Sequence, residues 1–132
     1  MTNKLEIYFC HKCGNLVEVL LNGEGELVCC GEQMHHLHAK KVESEGQEKH
    51  IPIFAKNECG NTEIRVGSVP HPMTDEHYIM FIQCISEDQD KVYTEFLTPN
   101  SVPRILIKTD NENLIAREYC NIHGLWEGKK ND

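Results

Sequence analysis

Hydrophobic and polar positions alternate in short runs along this chain, and no run carries the three-to-four spacing of an amphipathic helix. The clearest alternation is Glu63-Ile64-Arg65-Val66, the pattern of a strand with one face buried. Strands are predicted at His50–Ala55, Glu63–Val69, His77–Ile85, Lys91–Phe96, Arg104–Lys108 and Leu114–Glu118. Turn-forming residues separate them: Asn57, Gly60-Asn61, Pro70-His71-Pro72, Ser86-Glu87-Asp88, Pro99-Asn100 and Asp110-Asn111. Short strands broken by turns about every ten residues predict an all-β, antiparallel sandwich or barrel.

The first forty residues read differently. They hold one good strand candidate, Leu16–Leu21, then a turn at Asn22-Gly23-Glu24-Gly25 and a short apolar run at Glu26–Val28. That is too little apolar surface for a core, so a unit of this size needs a staple such as a metal. A polar stretch from about Leu37 to Gln47 reads as a linker. The expected organisation is therefore a small unit over residues 1–37 and a larger one over 38–132.

Composition narrows the function. Of the 132 residues, 39% are hydrophobic and 26% charged, a soluble globular balance. The net charge of −8 disfavours nucleic acid, whose binding rests on neutralised phosphates. It also repels small anions unless positive charge is concentrated locally. No run approaches the ~20 apolar residues of a membrane helix. The opening Met-Thr-Asn-Lys-Leu-Glu lacks the apolar core of a signal peptide, which makes the cytoplasm the expected location. Seven cysteines, an odd number, then point to metal rather than to a disulfide framework, and eight histidines add to that reading.

The cysteines fall into groups. Cys10-His11-Lys12-Cys13-Gly14 and Cys29-Cys30-Gly31 supply four thiolates, with 15 residues between Cys13 and Cys29, a spacing suited to one tetrahedral site. Glycine after each pair frees the backbone to curl around an ion. Tetrahedral sulfur suits zinc and iron alike. The adjacent Cys29-Cys30 pair departs from the repeated two-residue gap of a zinc ribbon.

In the larger segment, His50 precedes Ile51-Pro52, His71 is held between two prolines, and His77 follows six residues later. Cys120 and His123 are three apart in Cys-Asn-Ile-His-Gly, a metal-ligand spacing. Five candidate donors exceed the four that zinc usually takes, and imidazoles with a thiolate suit iron.

These motifs resemble a known family. The Cys-x-x-Cys-Gly and Cys-Cys-Gly knuckles are similar to those of desulforedoxin. Glu48-Lys49-His50, Gly67-Ser68-Val69-Pro70-His71-Pro72-Met73, His77 and Arg117-Glu118-Tyr119-Cys120-Asn121-Ile122-His123-Gly124 resemble superoxide reductases. In this order, over nearly the whole chain, they resemble desulfoferrodoxins. The resemblance implies a desulforedoxin-like β domain followed by an immunoglobulin-like β-sandwich. It implies a rubredoxin-like iron at Cys10, Cys13, Cys29 and Cys30. It implies a second, ferrous iron with His50, His71, His77 and His123 in a plane and Cys120 axial. The activity implied is one-electron reduction of superoxide to hydrogen peroxide, with re-reduction by an external donor such as rubredoxin, in a homodimer. Lys49 beside a ligand would draw in the anion, and Glu48 would fill the sixth position of the oxidised iron.

The remaining residues carry less. His35, His36 and His38 read as a solvated linker face, and His11 as outward-pointing. Cys84 reads as a small buried hydrophobe, Cys59 as an exposed turn residue, Trp126 as core packing or, in second place, as packing over the Cys-x-x-His loop, and the tail from Gly128 to Asp132 as disordered. Competing functions are an iron electron carrier or redox sensor, a zinc-stapled interaction module, and dismutation in place of reduction.

Overall fold

The computed structural model describes residues 1–42, 50–56, 59–69 and 71–130. Their regular structure is entirely strand: twelve strands and no helix among the described residues. The chain divides into two compact units, Met1–His38 and Ala39–Asp132.

In the smaller unit, β1 (Ile7–Phe9) is the middle strand of an antiparallel sheet, between β2 (Leu16–Glu18) and β5 (His35–Leu37). A separate hairpin pairs β3 (Val28–Cys29) with β4 (Glu32–Gln33). Only Leu5, Ile7, Cys10 and Val19 are buried apolar residues here. The predicted strand at Leu16–Leu21 stops at Glu18, and Leu20 and Leu21 lie exposed. Strands β1, β4 and β5 were not expected. The pairing of Tyr8 with His36 corrects the reading of the histidine cluster as linker. It stacks the two rings at 5.0 Å and brings His36 Nε2 within 3.4 Å of the Glu6 carboxylate.

The larger unit is a two-layer antiparallel sandwich. One sheet has the order β10-β7-β6, from β6 (Pro52–Lys56), β7 (Thr62–Val66) and β10 (Arg104–Ile107). The other has the order β12-β11-β8-β9, from β8 (Ile79–Ser86), β9 (Val92–Phe96), β11 (Leu114–Cys120) and β12 (Gly124–Lys129). Three strands facing four make the immunoglobulin-like arrangement. Alternate residues fill the space between the sheets: Ile64 and Val66, Ile79, Ile82 and Cys84, Ile105, and Leu114, Ala116 and Cys120.

The C-terminal segment corrects the expected disorder from Gly128. Gly128 and Lys129 are part of β12, and the Lys130 ammonium donates to the Asn111 carbonyl at 2.7 Å. Glycine is needed at 128 because a Cβ there would collide with the Pro52 carbonyl, where the two sheets approach. The polar stretch taken as linker is also ordered at its start. Lys40 donates its N–H to the Leu125 carbonyl and accepts from the Glu127 N–H, both at 2.9 Å.

Candidate metal centres

The thiols of Cys10, Cys13, Cys29 and Cys30 all lie within 4.8 Å of one another. Two turns bring them there. In the first, the Gly14 N–H donates to the Cys10 carbonyl and the Cys10 N–H to the Asn15 carbonyl, both at 2.9 Å, with Gly14 at φ 85°. In the second, Cys30 and Gly31 link β3 to β4 with φ of 54° and 77°. Two successive positive φ values are the signature of a tight hairpin turn whose twist matches the strands. This turn lets adjacent cysteines share one site: Cys29 Sγ lies 3.9 Å from Cys30 Sγ and 3.5 Å from Cys13 Sγ.

The thiols are electrostatically unequal. Backbone hydrogen bonding by Cys13 lowers the Cys10 thiol to about 7. Hydrogen bonds with Cys13, then Cys29 and Cys10, push Cys30 up to about 12. Four thiolates this close repel one another, so a cation must neutralise them before all can ionise.

The second centre is assembled from segments far apart in sequence. Ring nitrogens of His50, His71, His77 and His123 and the Cys120 sulfur lie within 4.8 Å of one another. The four rings close a cycle. His50 meets His71 at 4.7 Å, His71 meets His77 at 4.8 Å, His77 meets His123 at 5.0 Å, and His123 meets His50 at 4.7 Å. Cys120 belongs to the sandwich core and brings its sulfur within 4.8 Å of the imidazole nitrogens.

Several contacts fix these donors. His71 Nδ1 is 2.7 Å from the Pro72 carbonyl, which assigns the proton to Nδ1 and leaves Nε2 as a lone-pair donor. Its Nε2 stands 3.0 Å from His50 Nε2, and His50 is fully buried. His77 sits in a two-residue turn closed by Thr74. The pairing of β11 with β8 shifts register between Tyr119 and Cys120, an irregularity of the kind that re-aims a side chain at a site. The His123 N–H donates to Cys120 Sγ at 3.5 Å.

The donor set fits a metal on an observation independent of its pattern. His77 Nε2 is buried with no hydrogen-bond partner. A buried imidazole nitrogen without a partner is costly unless something beyond the protein completes it. Five nitrogen and sulfur donors fit iron better than four-coordinate zinc. Glu118, two residues from Cys120, is also buried and unpartnered, and burial holds its carboxyl well above the usual range.

Glu48 and Lys49 lie outside the described residues. Trp126 is buried, but against the centre: its ring stacks on His50 at 4.8 Å and 13°, and its Nε1–H donates to the His123 carbonyl at 3.1 Å. Asn121 had no assigned role. Its side chain accepts from the Tyr78 N–H and donates to the Glu76 carbonyl, both at 3.0 Å, bracketing His77 from the Cys120 loop. Its place between two ligands of a Cys-x-x-His loop is the only sequence signal that could have singled it out. Cys84 is buried, which pushes its thiol up to about 11, and Cys59 is exposed.

Comparisons with known proteins place both centres in context. The family model for desulfoferrodoxin matches residues 42–129, and that for the desulfoferrodoxin N-terminal domain matches residues 2–37. A desulfoferrodoxin of Desulfarculus baarsii is 42% identical over 129 residues, covering 98% of this chain and 99% of its own. A superoxide reductase of Pyrococcus abyssi is 35% identical over 98 residues, covering 62% of this chain and 85% of its own. The crystal structure of the superoxide reductase from Treponema pallidum superposes with a TM-score of 0.75 at 25% identity, over 97% of this chain and all of that one.

Proposed function

The chain belongs to the desulfoferrodoxin family, and from that premise we propose how its residues carry out superoxide reduction. The protein is a superoxide reductase with two mononuclear iron sites, one in the four-cysteine group and one in the group of four histidines and a cysteine. The observation that carries the reading is the closed cycle of four imidazoles whose ring nitrogens lie within 4.8 Å of one another and of the Cys120 sulfur. Iron held there by His50, His71, His77, His123 and Cys120 would supply the one electron that, with two protons, converts superoxide to hydrogen peroxide.

The chain's own residues set the conditions for that step. The Pro72 carbonyl holds His71 in one tautomer, and Asn121 and Thr74 hold the turn that presents His77. The His123 N–H stabilises the Cys120 thiolate, which donates electron density toward the site. Trp126 covers one face of His50 and keeps water from it.

The finer roles belong to the same proposal. Lys49 draws superoxide toward the site, supported by the need for local positive charge on a chain of net charge −8. Glu48, its neighbour in sequence, would supply a carboxylate donor to the oxidised iron. The domains run from 1 to 37 and from 38 to 132, each carrying one iron. A rubredoxin-like carrier returns the electron. The location is cytoplasmic, supported by thiolate ligands that need a reducing compartment. A homodimer is supported by the exposed Val92, Tyr93 and Phe96 on β9, at the edge of the four-stranded sheet.

The test is a pulse of superoxide delivered to the reduced, iron-loaded protein, followed by visible absorption and assays for peroxide and dioxygen. Peroxide without dioxygen, and loss of the thiolate-to-iron band in Cys120→Ser, is the expected result. Dioxygen among the products would mean dismutation. No reaction from fully loaded protein would leave an electron carrier.

A further inference from the structure

Lys40 stands in the stretch whose polarity reads as linker, yet its main chain is held on both sides. Its N–H and carbonyl bond Leu125 and Glu127, making a parallel bridge to Trp126. The side chain therefore starts from a fixed root and loses less freedom when it docks than a lysine on a loose segment would. Its ammonium donates to the His123 carbonyl at 3.0 Å and lies 5.1 Å from the centre of the Trp126 ring.

Those two contacts reach two ligand residues. The His123 carbonyl also accepts from Trp126 Nε1, so one oxygen is shared by a charged and a neutral donor. The same indole stacks on His50. On its amide side, His123 donates to the Cys120 sulfur. Gly124, required by its φ of 85°, ends this loop next to the ammonium, since a Cβ there would lie in ordinary contact at 3.9 Å from Lys40 Nζ.

We propose that Lys40 is a positioning residue of the histidine–cysteine centre, bracing the Cys120–Gly124 loop through the His123 carbonyl and holding one positive charge against the backbone of that ligand. Its effect on the kinetics rests on the superoxide reductase reading. A cation beside an electron-rich centre favours its reduced state and draws an anion inward on an acidic chain. Because Lys40 is exposed, salt weakens the effect. Neighbouring Lys41 gives the control, since it carries the same charge but is directed to Glu127 at 3.5 Å.

The experiment compares Lys40→Met, Lys40→Arg and Lys41→Met with the unaltered protein. In metal-free protein, the emission of the single tryptophan should shift in Lys40→Met and stay near its starting position in Lys41→Met. In iron-loaded protein, Lys40→Met should lower the reduction potential of the histidine–cysteine centre. It should also slow the reaction with superoxide by about two- to ten-fold at low ionic strength, a difference that closes as salt rises. Lys40→Arg should retain most of both properties. Unchanged potential and salt dependence in Lys40→Met would overturn the proposal, and so would an equal loss in Lys41→Met. If the unaltered protein fails to react with superoxide, the functional reading fails instead. The potentials and the tryptophan emission would still judge Lys40.

Discussion

Residues Met1–His38 bury Leu5, Ile7, Cys10 and Val19 and leave Leu20, Leu21 and Val28 in solvent, whereas residues Ala39–Asp132 enclose an apolar core contributed by both sheets. Cys10, a candidate metal ligand, is itself one of these few buried residues. In the larger unit the four histidines sit outside the apolar core cluster, and Cys120 alone among the donors belongs to it. The difference teaches that a metal plays two physical roles in one chain. In the first unit it substitutes for a core too small to stand alone, and in the second it is held by a fold that already exists.

The largest expected effect tests that division. Removing the metal, or Cys10→Ser, withdraws binding energy on the order of 10 kcal/mol, the scale found for structural zinc sites. Amide exchange should then show β1, β2 and β5 unprotected while β8 and β11 keep their protection. Equal loss in both units would break the comparison.

Next in size, Ile64→Ala opens a cavity at a fully buried site of the sandwich and should cost about 2–5 kcal/mol in urea unfolding of the larger unit. The first unit's transition should stay in place. A smaller effect is expected from Asn121→Ala, which releases the turn carrying His77. Metal affinity at the histidine–cysteine centre should fall about 10- to 100-fold, the range for outer partners of metal ligands, with little change in unfolding of the metal-free protein. Competition with a chelator would measure it, and unchanged affinity would mean that the β11–β12 turn holds His77 by other means.

The smallest effect concerns cysteines outside both centres. With its thiol pushed up to about 11, Cys84 remains protonated through neutral pH, and its thiolate gains population only as pH rises toward that value. Alkylation of the folded, iron-loaded protein near neutral pH should therefore modify exposed Cys59 and leave Cys84 intact, as peptide mass analysis would show.

Much of the strand pattern could be read in advance, for identifiable reasons. Strands β6 to β11 lie within about three residues of their predicted places because each carries alternation or an apolar run between strong turn residues. Strand β12 escaped because the tail from Gly128 was expected to be disordered, although Gly124 is required by a positive φ and Gly128 by the approach of Pro52. Strands β1 and β5 are only three residues each, too short for a period to register. His36 looked solvated because nothing local announces that it will pair with Tyr8.

What the sequence determined by itself is the chemistry of the donors and the local turns that present them. Cys-x-x-Cys-Gly, Cys-Cys-Gly and Cys-x-x-His-Gly set their own geometry within a few residues, because backbone dihedrals answer to near neighbours and glycine. What only the tertiary structure decided is which distant residues support those donors. Lys40 meets the His123 carbonyl across 83 positions of sequence, and Asn121 reaches Tyr78 across 43. Such pairings depend on the register and order of strands, which are set by burial summed over the whole sandwich, and no local pattern encodes that sum.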